Sequence, residues 1–229
     1  MRVNNYLAGL TLLIAIAAPA RATEYTIDPA ESIFAVVVHK AGIAARFAHN
    51  HLVYPSEYTA TLSMENTDLV TAQFSLTFAA EKLQVDAPDM HKKWYPRIEA
   101  AGILDEPFKQ VDEKDRQTIG EHMRGNNQLD AATYPKISAK VTQVSAKSQR
   151  IGKQDFSHLA ILEFEVHGKK IARECPALIT FKNDSVTIEA MVSFTFSEFG
   201  IKPYSALGGA VKNRDAFDVY VYLIAKPKS

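Results

Sequence analysis

One cysteine, Cys175, serves the whole 229-residue chain. An intramolecular disulfide is therefore excluded, and with it the disulfide-built secreted scaffolds, so the fold must rest on its hydrophobic core. Net charge is missing too: 26 basic residues balance 26 acidic ones. A nucleic-acid partner would want a strong basic excess, and none is expected. Beyond residue 22 no apolar run is long enough to cross a bilayer, which takes about 20 residues. There is no P-loop, dinucleotide fingerprint, nucleophile elbow or paired-histidine zinc-protease motif. No sequence feature names a reaction, and the chain reads as a binding protein rather than an enzyme.

The N-terminus does carry an apolar run. Arg2 supplies a positive charge, residues 6–18 are uncharged and mostly apolar, and Ala20 and Ala22 put small residues at both positions of a cleavage site. At roughly 13 residues the run is too short to span, and its flanks are those of a secretory signal peptide. The expectation is a cleaved signal over residues 1–22, a mature chain in the bacterial periplasm, and no transmembrane anchor. No cysteine sits at the cleavage site, so no lipoprotein anchor is expected. Losing Arg2 and Arg21 leaves 24 basic residues against 26 acidic, a formal charge of −2 over residues 23–229. That length suits a single domain.

What the chain has in quantity is alternation. In residues 71–78, Phe74, Leu76 and Phe78 share one face and Gln73, Ser75 and Thr77 the other. Residues 188–196 place Ile188, Ala190, Val192, Phe194 and Phe196 together, and residues 161–167 set Leu162, Phe164 and Val166 opposite Glu163 and Glu165. Period two with one apolar face predicts an antiparallel sheet with one dry side. Further strands are predicted at 24–27, 33–39, 51–64, 82–85, 136–144, 171–181 and 215–225. Turn residues separate them: Asp28 with Pro29, His167 with Gly168, residues 182–185, and Gly208 with Gly209. Residues 33–38 are apolar on both faces, which predicts a central strand or one covered from outside the sheet. Many short strands with tight turns predict an all-β sandwich or barrel.

From Pro88 to Pro135 the strand signal fades, and helices are predicted at 98–104 and 111–123. Val111, Ile119 and Met123 give the second only a thin apolar stripe, as on a surface helix or a lid over one end of the barrel. Trp94, Tyr95 and Pro96 are expected to pack such a lid. Asp86, Asp89, Asp112 and Glu113 read as loop and helix-start charges, and Cys175, entering an apolar run, as a buried structural thiol. His49 and His51 are two apart. On a strand they would share a face and supply half a zinc site, completed by His39, His91, His122 or Glu121. The competing reading gives the two imidazoles hydrogen bonds within a loop at the barrel mouth, or contact with a ligand head group.

Four stretches resemble the YceI-like family of polyisoprenoid-binding periplasmic proteins: residues 25–34, 122–137 with Tyr134 and Pro135, 162–170, and 194–203 with Phe199, Gly200 and Ile201. The resemblance spans nearly the whole mature chain. It implies a lipocalin-like antiparallel barrel with a helix packed at its side, and a long apolar pocket for a polyprenyl lipid or quinone tail. Residues 87–115 depart from the pattern as an insertion, so helical sequence occupies about 87–130. Gln128 stands where the family has an aromatic residue, and a glycine is replaced within 162–168.

The residues expected to face such a ligand are Phe74, Leu76, Phe78, Phe164, Val192, Phe194, Phe196, Val219 and Val221. A solid core would use the same residues; the resemblance implies the cavity. Beyond the lipid no cofactor is required, and a homodimer stays open. The alternatives are a metal-binding or redox-linked protein using His49 and His51, and an enzyme acting on a small apolar compound.

Overall fold

The structure, a computed structural model, describes residues 22–104 and 106–228. The expected signal, residues 1–22, lies outside them except for Ala22. The elements run β1 (Thr23–Ile27), β2 (Ile33–Ala41), β3 (His51–Pro55), β4 (Thr59–Glu65), β5 (Asp68–Ala79), β6 (Leu83–Val85), α1 (Pro88–Ala100) and α2 (Glu113–Arg124). They continue with β7 (Lys136–Ile151), β8 (Gln154–Val166), β9 (Lys169–Lys182), β10 (Ser185–Thr195), β11 (Ser205–Ala206) and β12 (Val211–Pro227). Eight strands follow one another around a ring, in the order β1, β4, β5, β7, β8, β9, β10, β12. Antiparallel pairing of β1 with β12 closes it. This is the predicted lipocalin-like all-β barrel.

β12 pairs with β2 through residues 212–222 and with β1 through 225–227, so β1 and β2 take successive lengths of one of its edges. From β2 the sheet continues to β3 and β6. Two of the tight hairpins form where turn chemistry predicts them. His167 and Gly168 (φ 52° and 69°) join β8 to β9, and Asn183 and Asp184 (φ 47° and 62°) join β9 to β10. Two consecutive positive φ values match the right-handed twist of the flanking strands. Gly168 is also required by contact: a Cβ there would stand 2.9 Å from the Tyr134 ring. His167 meets that ring at 4.2 Å and its Nδ1 donates to the Phe199 carbonyl, so three of the four quoted stretches touch at one place.

Two predicted elements differ. The single strand at 51–64 is two strands, because residues 56–58 turn aside and the Ser56 N–H bonds to the Lys82 carbonyl. The helix predicted at 98–104 begins ten residues earlier, as α1. Pro88 opens it, His91, Trp94, Ile98 and Ala101 face inward at helical spacing, and Gly102 at φ 74° ends it. Pro96 reads as a breaker in sequence, but it lies on the exposed side, and burial of Trp94 and Ile98 overrides local propensity.

α1 explains the two-sided β2. Phe34, Val36 and Val38 point into the barrel, while Ile33, Ala35 and Val37 point out and are covered by Trp94 and Ile98, with Leu52, Tyr54, Tyr220 and Tyr222 around them. The Arg97 guanidinium lies 3.9 Å over the Tyr222 ring, and the Tyr220 hydroxyl donates to Glu189 at 2.6 Å. Trp94 thus packs the outer wall and is no lid. The lid is α2, whose Ile119 and Met123 pack against the barrel core. Asp112 caps it by accepting from the Asp115 N–H at 2.8 Å. Among the described residues no helix is long and apolar enough to cross a membrane.

Trp94→Ala removes the largest side chain between α1 and the wall. It should cost about 3–5 kcal/mol in denaturant unfolding while leaving the internal cavity intact.

Candidate functional site

The inward faces of the strands do not fill the barrel. Beneath α2 lies a cavity of about 370 Å³, and further along the axis a second of about 80 Å³. Ligand pockets commonly measure 300–1,000 Å³, so the larger has room for a small or slender molecule. Phe164, Phe199 and Phe217 form its floor, Val36, Val38 and Phe78 part of its wall, and Val111, Ile119 and Met123 its roof. The thin apolar stripe of the second helix is therefore the cavity ceiling. Polar groups come from the elements around the opening: His49, His51, Asp115, His122, Gln128 and Tyr204. Gln128, the departure from the family pattern, donates to the Lys202 carbonyl at 3.0 Å.

The two compartments are separated by side chains. Phe34, Leu76, Ala139 and Phe194 are buried in the core cluster yet line neither space. On β10, Val192 faces the small compartment and Phe196 the large one, with Phe194 between them. Phe194 has no exposed surface and packs on Phe164, Phe199 and Phe217 at 5.5–6.1 Å between ring centroids. Of the nine expected ligand-facing residues, Phe78, Phe164 and Phe196 line the large compartment, and Phe74, Val192, Val219 and Val221 the small one. Leu76 and Phe194 belong to the partition. The long pocket implied by the resemblance is here divided. Cys175 lines the small compartment, where burial pushes its thiol up to about 12, well outside the range of a reactive thiolate.

The histidines are not arranged as a strand pair. Only His51 lies on β3; His49 precedes it in a loop, and their ring centroids are 6.4 Å apart. Both still line the large cavity. His51 is held from behind: its Nδ1 donates to Asp86 at 2.6 Å, the Leu52 N–H donates to the same carboxylate at 2.8 Å, and His91 Nε2 at 3.1 Å. Asp86 is 1 % exposed and sits at φ 54°. It is a buried anchor and not the loop charge expected from sequence. Asp112, by contrast, is the helix-start charge it was read as. Burial alone would raise the Asp86 carboxyl, but hydrogen bonds from His51 and His91, together with the backbone donor, hold it below its ordinary value of 3.8. Burial first, and then the neighbouring His51, lowers His49 below the ordinary histidine value.

With Nδ1 committed to Asp86, His51 has Nε2 left for the cavity. The other histidines considered as metal ligands do not assemble with His49 and His51 into a ligand set. His39 pairs with Asp218 at 2.7 Å, His91 stacks on Phe108, and His122 stacks on Tyr204. Among the described residues no group of three or more His, Cys, Asp or Glu is placed to hold a metal ion.

An eight-stranded barrel with an apolar internal cavity, one helix on its wall and another over its end defines a lipocalin-like class. Within it, the YceI-like domain matches residues 25–224, and the chain belongs to that family. Its fold is similar to that of BcnA from Burkholderia cenocepacia, with a TM-score of 0.58 at 12 % identity, covering 88 % of this chain and all of that one. A YceI protein of Campylobacter jejuni aligns with a TM-score of 0.47 at 11 % identity, over 77 % of this chain and 85 % of that one. No curated protein sequence matches the chain.

The depressed Asp86 carboxyl fixes a pH dependence. Stability from a carboxylate whose folded pKa lies below its unfolded one is fully present above about pH 4 and is lost as pH falls through the folded value. Asp86→Asn should lower stability near neutrality by about 3–5 kcal/mol, as when one partner of a buried pair is removed. It should also flatten the loss below about pH 4. Denaturant titrations of both proteins across that range read the two effects; an unchanged acid slope would assign it to other carboxylates.

Proposed function

We propose that this protein is a periplasmic carrier, not an enzyme, that holds an apolar isoprenoid-type lipid with its chain in the large compartment and its head group beside His49 and His51. The observation that carries this reading is the distribution of polarity: a phenylalanine floor, a valine wall, and a few polar groups supplied by α2, the His49–His51 segment and the segments around Gln128 and Tyr204. Burial of an apolar chain returns about 25 cal/mol per Å². A few hundred Å² thus offsets the cost of immobilising the ligand, with no directional chemistry along the chain. A head group needs partners only at the opening, where Asp86 fixes the orientation of His51. The membership of the chain in the YceI-like family supports the same reading, and so does the export signal read from residues 1–22.

Native mass spectrometry of the protein taken from a lipid-rich periplasm, followed by solvent extraction, tests this directly. The expected result is one apolar lipid per chain; an empty protein would overturn the carrier reading. Phe194→Ala opens the partition and joins the compartments. It should shift the extracted ligands toward longer chains, at a stability cost of about 3–5 kcal/mol seen in thermal unfolding. Unchanged chain lengths would show that the partition does not limit the ligand.

A further inference from the structure

The loops beside the cavity opening carry large apolar side chains that neither the core nor the cavity uses. Ile43 is 97 % exposed, Leu207 80 % and Phe47 69 %. They come from segments far apart in sequence that fold as one surface. The Ala44 N–H donates to the Ala210 carbonyl at 2.9 Å, and Gly42 lies so close that a Cβ would stand 2.4 Å from that same oxygen. Each segment also reaches the cavity, through His49 in one and Tyr204 in the other.

Leu207 is the most telling of the three. Its φ of 51° is left-handed, a conformation that suits glycine or asparagine and is costly for a leucine. At that exposure, burial within the fold offsets none of the cost.

The two loops themselves carry charge of one sign, with Glu106 and Asp115 contributed by the neighbouring lid segment. Residues 40–51 contain Lys40 and Arg46, residues 200–214 contain Lys202, Lys212 and Arg214, and neither segment contains an acidic residue. Lys40 is paired with Glu106; Lys109 adds a further cation, its Nζ donating to the Arg46 carbonyl. At the opposite end, exposed Val70, Ile151 and Phe181 lie among Asp68, Lys153, Asp155 and Asp184, a mixture of signs.

We propose that these two loops dock the barrel, opening first, on an anionic lipid bilayer. Ile43, Phe47 and Leu207 enter the boundary between head groups and acyl chains, and Arg46, Lys202 and Lys212 meet the lipid phosphates. Protruding apolar tips on loops whose own charges are all positive are the chemistry that an anionic membrane surface rewards. The inference goes beyond the carrier reading and does not need its ligand, since a vesicle can hold the loops whether the cavity is full or empty.

Flotation with vesicles tests it, using the protein as purified from the producing cell. Phosphatidylglycerol–phosphatidylethanolamine vesicles should carry the protein upward, pure phosphatidylcholine vesicles should carry less, and added salt should weaken the association. The double substitution Ile43→Ser, Leu207→Asn alters only exposed side chains. It should preserve the melting temperature and lower vesicle partitioning at least about tenfold. Val70→Ser at the far end should leave partitioning unchanged.

A wild-type protein that floats with no vesicle would overturn the proposal, as would a double variant that floats as well as wild type. A dimer in sedimentation velocity that the same double substitution dissolves would also overturn it, by assigning the surface to a second copy of the chain. Ligand content is measured separately, so an empty cavity and a failed docking are distinct results.

Discussion

A β-sheet has two edges, and each edge is a row of unpaired backbone groups that invites aggregation. In this protein the constraint is met through β12. One edge of that strand is occupied by β10 over residues 216–225, the other by β2 and then β1. Strand alternation then decides what the two faces of β12 do. Phe217, Val219, Val221 and Leu223 point inward and contribute to both compartments. Tyr220 and Tyr222 point outward and form part of the bed on which α1 lies. Closure, cavity and helix docking therefore share one seventeen-residue strand. An irregularity between Asn213 and Phe217 marks where its pairing shifts, close to the segment that forms the opening.

Much of this was legible in sequence because it is local. Alternation in β5, β8 and β10 announces itself within eight residues, and the His167–Gly168 and Asn183–Asp184 turns carry their own conformational chemistry. The two-sided character of β2 was legible as well, with its cover left open. The start of α1 is not legible, because Pro96 interrupts a helix that burial of Trp94 and Ile98 sustains. Which inward side chains border space and which fill it was not legible. Phe194 and Phe196 are two residues apart on the same apolar face in sequence, yet one plugs the barrel and the other lines its cavity. The difference lies in what stands across the axis, and strand periodicity carries no information about the opposite wall.

The same limit hid Asp86. Nothing beside it separates it from Asp89 or Asp112. Its role comes from His51 on β3 and from His91 on the first turns of α1, which the fold turns back onto it. A single buried carboxylate thereby ties the outer helix to a residue that faces the cavity. The spacing of His49 and His51 is visible in sequence, but the partner that orients His51 lies 35 positions away.

The partition has a bearing on how such barrels diversify. The length of the barrel is written into strand pairing, and changing it would mean re-registering many hydrogen bonds at once. The length of the space inside is written into four side chains, of which Ala139 is already small. The length of that space can therefore change one substitution at a time on a scaffold that does not change. Barrels alike in architecture at 12 % identity can thus keep one pattern of strand pairing and still enclose spaces of different length.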